Sequence, residues 1–152
     1  MQTDLTYREA LITDIPQIQF VRHAVKENIL SNPELVKDSD VENYITRRGK
    51  GWVAEINNTI VGFAIVSTAD NNVWALFILP KFENKGIGKT LHNIMMDWYF
   101  SQTQETIWLS TGTGTRAETF YRLKGWEDTG AYGNQEIKFI MTHQKWKKII
   151  RS

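Results

Sequence analysis

The chain has 152 residues, 41% hydrophobic and 23% charged, with a net charge of +1 and no cysteine. These proportions exclude a collagen-like, coiled-coil or largely disordered chain, and the length predicts one domain, residues 1–152, able to bury roughly 68–70% of the surface it exposes when unfolded. The missing cysteine excludes disulfides, thiolate zinc sites, iron–sulfur clusters and any mechanism that parks a group on an enzyme thiol.

Other classes fall for equally simple reasons. The longest apolar run, Val73 to Leu79, is seven residues, against the ~20 a membrane helix needs. Residues 1–14 are too polar and acidic for a secretory signal, so the expected location is cytoplasmic. His23, His92 and His143 are scattered and match no metal spacing. The basic residues Lys145, Lys147, Lys148 and Arg151 crowd into residues 143–152, leaving residues 1–142 with a net charge of −3, from 14 bases and 17 acids. The body is therefore no nucleic-acid platform, and the basic end reads as a solvated tail rather than an anion contact.

Thr6 to Ile12 reads as a first strand. Asp14 and Pro16 open a helix with Ile15, Ile18, Phe20, Val21, Val25 and Ile29 at roughly helical spacing, broken by Asn32-Pro33. Ser39 with Glu42 forms an expected capping box for a short helix through Val41, Tyr44 and Ile45. Trp52–Ile56 and Ile60–Ser67 read as strands joined by an Asn57-Asn58 turn. Val73–Leu79 reads as a central strand buried on both faces. Ile87, Leu91, Ile94, Met95 and Trp98 mark a helix ending near Ser101, and Thr106–Leu109 a further strand. Thr115 with Glu118 caps a helix that stops at Gly125. Two last strands, near 126–132 and 136–142, flank Gly133-Asn134. The order βααβββαβαββ predicts an α/β fold with a mixed sheet.

The chemistry concentrates between Leu79 and Leu91. A buried strand ends, a loop with Gly86 and Gly88 follows, and a helix begins. The free N–H groups of a helix start and its dipole make an anion site, glycine lets the backbone approach a phosphate, and Lys85 and Lys89 add positive charge. The stretch reads as a pyrophosphate cradle. Two alternative phosphate motifs fit less well. Gly88-Lys89-Thr90 could end a P-loop, but Glu83 stands where its first glycine belongs. Gly112-Thr113-Gly114-Thr115-Arg116-Ala117 fits a dinucleotide fingerprint, but a hairpin follows it instead of a parallel strand.

Ile78-Leu79-Pro80 followed by Lys85-Gly86-Ile87-Gly88-Lys89 resembles the acetyl-CoA motif of the GCN5-related N-acetyltransferases, the GNAT family: V-x-P, a short loop, then [QR]-x-x-G-x-[GA]. Ala117 to Trp126 resembles that family's second motif, N-x-x-A-x-x-F-Y-x-x-x-G-F. The chain departs from the pattern at Glu83, in place of Gln or Arg, and at Gly114, in place of Asn.

The resemblance implies the GNAT fold, with central strands splayed in a V after a bulge, and acetyl-CoA as co-substrate. It implies a cofactor site of Phe77, Ile78, Leu79, Asn84, Lys85, Gly86, Ile87, Gly88, Lys89 and Thr90, with no metal. It gives the Ile78 backbone N–H the task of stabilising the oxyanion and Tyr121 that of general acid. Spacing alone leaves Tyr121 evenly divided between acid and packed aromatic. No carboxylate lies on the central strand. Glu55 reads as a hairpin residue rather than the base, His92 as surface or satisfied, and Trp52, Trp74, Trp108 and Trp126 as core rather than an aromatic cage.

The implied activity is acetyl transfer to a primary amine by direct attack in a ternary complex. The acceptor is expected to be a small molecule, seated by Asn28–Arg48 and Ala131–Gln135. Neither nucleic acid nor membrane is an expected partner, and a homodimer is compatible. The alternative is a non-catalytic acetyl-CoA sensor or an interaction module.

Overall fold

The computed structural model describes residues 4–25 and 36–150. The expectations at Asn28, Ile29, Ser31 and Asn32-Pro33 lie outside the described residues. In chain order come β1 (Leu5–Glu9), α1 (Ile15–Ala24), α2 (Asp38–Asn43), β2 (Gly49–Ile56), β3 (Thr59–Ser67), β4 (Asn72–Ile78), α3 (Ile87–Gln102), β5 (Ile107–Gly112), α4 (Arg116–Leu123), β6 (Glu127–Tyr132), β7 (Glu136–Met141) and α5 (His143–Ile150). The predicted order holds, with one helix added at its end.

The seven strands form one sheet in the order β1-β2-β3-β4-β5-β7-β6. Every neighbouring pair is antiparallel except β4 and β5. Asn57 and Asn58 join β2 to β3 with φ of 50° and 66°. Two successive left-handed residues make the tight hairpin turn whose twist matches the strands it joins.

The sheet is covered on both faces. On one, Leu91, Met95, Met96 and Tyr99 of α3 pack with Tyr121, Trp126, Phe139 and Trp146. On the other, Ile15, Ile18 and Val21 of α1 join Val41 and Ile45 against Val53, Phe63 and Ile65. Each such fully buried side chain contributes about 1.5–3 kcal/mol relative to an exposed one.

Three local expectations are corrected. The helix after Pro33 begins at Asp38, and it is Asp40 that accepts from Lys37 N–H, at 2.8 Å, so Ser39 and Glu42 do not form the cap. The basic tail is α5. Thr142 Oγ1 accepts from Lys145 N–H (3.1 Å), Trp146 is buried, and its Nε1–H donates to Asp97 Oδ1 at 3.1 Å. The lysines of α5 take its polar side while Trp146 and Ile149 join the core; the charge run hid an amphipathic pattern.

The third correction concerns β4. Only Val73 and Ala75 are buried there; Trp74, Leu76, Phe77 and Ile78 are half-buried. The register between β3 and β4 jumps from Val66↔Val73 to Ile65↔Ala75, which leaves Trp74 as the extra residue of a bulge. On its other side β4 pairs with β5 at one position, Asn72↔Trp108. Trp108 N–H donates to Asn71 O at 3.0 Å and Asn72 Nδ2 to Trp108 O at 3.2 Å. No pairing continues beyond that point, so the two strands part and the sheet opens.

Candidate active site

The opening holds a cleft of about 770 Å³. Leu76 and Ile78, which pack toward α3, and Trp74 and Phe77, which pack toward α1, all line it, so it runs through the sheet from one face to the other.

The backbone of β4 is directed into this gap. Leu79 N–H donates to Val61 O at 2.8 Å, and Ile78 stands opposite Gly62. Bonded and non-bonded pairs alternate in an antiparallel ladder. With Leu79 bonded to β3, Ile78 falls in a non-bonded pair, and its N–H and C=O point away from β3 toward β5.

One end of the cleft is a helix start. Pro80–Phe82 form a 3-10 turn, Asn84 and Gly86 are left-handed (φ 63° and 84°), and Gly86 is the N-cap of α3. A side chain at Gly86 would meet no atom within 4 Å, so the glycine serves the backbone angle rather than the space. The first intrahelical bond runs from Thr90 N–H to Gly86 O, at 3.1 Å. Ile87, Gly88 and Lys89 therefore present N–H groups without an acceptor on the helix, and no side chain caps them. Gly86, Gly88 and Lys89 line the cleft, with Asn84 and Phe82 beside them.

Among the other residues of the expected site, Phe77 and Ile78 line the cleft, while Leu79, Lys85, Ile87 and Thr90 do not. The Ile87 side chain is in the core, and Thr90 Oγ1 returns a hydrogen bond to Gly86 O. Lys124, on the end of α4, is the cleft's second lysine beside Lys89, and burial together with the Lys89 charge lowers its pKa. Sequence reading missed it because it lies 35 residues away.

Glu83 turns to Arg116 of α4 and forms an ion pair with it. Its charge is thereby answered within the chain rather than aimed at the amides. Gly114 has φ 76°, and its N–H donates to Glu118 Oε1 at 2.7 Å. Thr115 Oγ1 accepts from Glu118 N–H at 3.3 Å, so the predicted capping box forms with its return bond shifted by one residue.

Tyr121 sits on α4 where the sheet opens, 6% exposed. Its ring packs edge-on to Trp126, with His92 and Phe139 nearby. It is thus a core aromatic, but it also lines the cleft. Its hydroxyl makes no hydrogen bond among the described residues. Burial pushes the phenol well above its ordinary value, so it keeps its proton at neutral pH. Behind it, His92 is fully buried rather than at the surface.

The residues expected to seat an acceptor are arranged differently. Asp40 caps α2, Asp38 accepts from Gln19, and Arg48 pairs with Asp70. Neither these nor Ala131–Gln135 line the cleft. Tyr44 supports it from behind, stacked on Trp74 at 4.1 Å and 9°. Trp74 is therefore cleft wall, whereas Trp52 and Trp126 are core as expected. Arg22, Ser110 and Glu136 complete the wall on the α1 side. Glu55 accepts from Arg8 at 3.2 Å, outside the cleft.

Among the described residues no helix is long and apolar enough to cross a membrane, and no three His, Asp or Glu side chains cluster as a metal site.

The model of the Acetyltransferase (GNAT) family matches residues 17–126, well over half of the sequence. The chain belongs to the GNAT family of acetyltransferases. Solved GNAT structures share its fold. The PaiA N-acetyltransferase of Thermoplasma acidophilum, in complex with coenzyme A, has a TM-score of 0.78 at 18% identity over 91% of this chain and 99% of that one. A GNAT acetyltransferase of Staphylococcus aureus Mu50 has a TM-score of 0.78 at 17% identity, over 91% and 99%. The ribosomal-protein-S18-alanine N-acetyltransferase of Escherichia coli has a TM-score of 0.71 at 16% identity, over 90% and 91%. No curated protein matches the sequence. The bulge and the splayed β4 and β5 of this GNAT chain are the features that the family resemblance implied.

Proposed function

We propose that this GNAT acetyltransferase moves an acetyl group from acetyl-CoA to a primary amine by direct attack, with both substrates bound together and a small molecule as acceptor. The observation that carries this reading is a single cleft with open amides at both stations of the reaction. The α3 start offers the N–H groups of Ile87, Gly88 and Lys89 at one end. The β4 edge turns Ile78 N–H into the gap.

The residues fit the diphosphate and pantetheine of coenzyme A. A site of unbonded amides at a helix N-terminus, with Lys89 and Lys124 beside it, suits a diphosphate. A Cβ on Gly88 would lie 3.6 Å from Ile78 Cγ1 and 3.7 Å from Phe120 Cε1, so its absence leaves room between those side chains. The unpaired edge of β4 suits an amide-bearing arm that adds to a sheet. The PaiA structure carries coenzyme A by its own description, which supports the same reading here.

When bound, acetyl-CoA supplies an activated thioester carbonyl. Ile78 N–H is directed to hold the negative charge that develops on its oxygen. Tyr121 retains its O–H and donates it toward the departing sulfur. A thiolate of pKa about 8–9 is a fair leaving group, so a donor suffices where a strong acid is not required. With no cysteine in the chain, direct attack replaces transfer through an enzyme thiol, and the protons that the attacking amine sheds pass to solvent water.

The test is acetyl transfer from acetyl-CoA to a panel of primary amines and peptides, read as free thiol release and product mass, alongside melting curves with acetyl-CoA. Transfer to small amines in preference to peptides is expected. Stabilisation by acetyl-CoA with no transfer to any amine would instead mark a sensor, and no stabilisation would overturn coenzyme binding.

A further inference from the structure

Two carboxylates line the cleft among the described residues, Glu83 and Glu136. Glu83 is beside the α3 start and engaged with Arg116. Glu136 is at the other end, on the first residue of β7, opposite Gly112 of β5.

Strand alternation fixes which face Glu136 belongs to. On β5, Ile107 and Leu109 are in the core with α3; on β7, Ile137, Phe139 and Met141 are. Ser110 and Glu136 are on the alternate positions and face the α1 side of the sheet. Ser110 Oγ donates to Glu136 Oε1 at 2.7 Å. Oε2 has no hydrogen-bond partner among the described residues. A half-buried carboxylate is thus oriented through one oxygen, with the second left to the cleft. Across the gap on this face are Trp74 and Phe77, with the Arg22 guanidinium over both rings at 5.0 and 5.2 Å.

Tyr121 and the α3 amides enter the cleft from the other face. A thioester held from that side is met by an acceptor coming from the α1 side, past Glu136. We infer that Glu136, oriented by Ser110, is the specificity residue that seats the ammonium of the acceptor amine. The inference rests on the acetyltransferase reading above and deepens it. It names the acceptor class as a cationic primary amine: on binding, the ammonium donates to Glu136, and it gives up one proton to solvent water before its nitrogen attacks. A charge-assisted hydrogen bond in a partly desolvated cleft is about twice as strong as a neutral one. Glutamine keeps the shape and an acceptor oxygen but removes the charge.

The experiment uses butylamine, phenethylamine and 1,4-diaminobutane with acetyl-CoA, on wild type, Glu136→Gln and Ser110→Ala. For whichever probe wild type acetylates best, Glu136→Gln is expected to raise KM at least tenfold, with the Kd for acetyl-CoA unchanged within twofold. Ser110→Ala is expected to raise KM by less. As a readout independent of turnover, 2-phenylethanol should compete equally against both proteins, because it never used the charge. A KM for the amine unchanged in Glu136→Gln overturns the inference while leaving the acetyltransferase reading intact. So does a wild type that binds acetyl-CoA and acetylates none of the three amines. A wild type that does not bind acetyl-CoA fails at the earlier step, and that failure is read separately from its melting curve.

Discussion

His92 makes a prediction that can be worked through from its surroundings. Its ring is fully buried among Phe120, Tyr121, Trp126 and Trp146, with centroids 5.6, 6.3, 6.2 and 5.7 Å away. Trp126 Nε1–H donates to His92 Nε2 at 3.0 Å. An indole can only donate, so Nε2 is bare and the proton is on Nδ1, donated to Asn93 Oδ1 at 2.9 Å. The neutral ring is completely satisfied, and a second proton would meet the indole N–H. Burial therefore pushes the pKa down to about 4 from 6.5, with Lys124 adding repulsion and the Asn93 bond opposing it.

The unfolded chain takes up this proton near pH 6.5, the native chain only near 4. The stability that neutral His92 maintains is full above about pH 6.5 and is lost as pH falls toward 4. At 1.36 kcal/mol per unit, the full loss is about 3 kcal/mol, of which about 2 kcal/mol falls between pH 7 and roughly 4.5. Urea unfolding at those two pH values measures it. Wild type should lose about 2 kcal/mol more than His92→Gln, whatever the variant's own stability at pH 7. Equal losses in the two proteins would refute the argument, as would a native His92 titrating near 6.5 by NMR.

Tyr121→Phe keeps the packed ring and removes the hydroxyl that faces the cleft. It should lower kcat by roughly 10²-fold or more and leave the Kd for acetyl-CoA within twofold; an unchanged single-turnover rate would remove Tyr121 from the reaction. Trp146→Ala should cost about 3–5 kcal/mol in urea unfolding, because α5 is docked on the core through that residue. A cost under about 0.5 kcal/mol would return the C-terminal end to the status of a solvated tail.

The parts of this molecule that local chemistry dictates were legible in its sequence. Asn57-Asn58, the glycine-capped start of α3 and the Thr115 cap each depend on residues within a few positions of one another. The same holds for the amide cradle, which is a property of one loop and one helix start. What escaped was set by tertiary pairing. The β4 run Val73–Leu79 is apolar throughout, so no periodicity could show that a bulge at Trp74 and the loss of β5 as a neighbour expose half of it to a cleft. Four bases masked the seam of Trp146 and Ile149 on α5. Lys124, Ser110 and Glu136 reach the cleft only because β5, α4 and β7 fold back to it. Nothing local to them distinguishes a cleft residue from a surface one.

The account stands on the amides at the start of α3. A crystal structure of the protein with coenzyme A tests it most directly. The diphosphate oxygens should lie about 2.7–3.2 Å from the backbone nitrogens of Gly88 and Lys89, with the pantetheine arm along Ile78 in the gap between β4 and β5. Coenzyme bound elsewhere, or in the cleft with those amides unengaged, would contradict it.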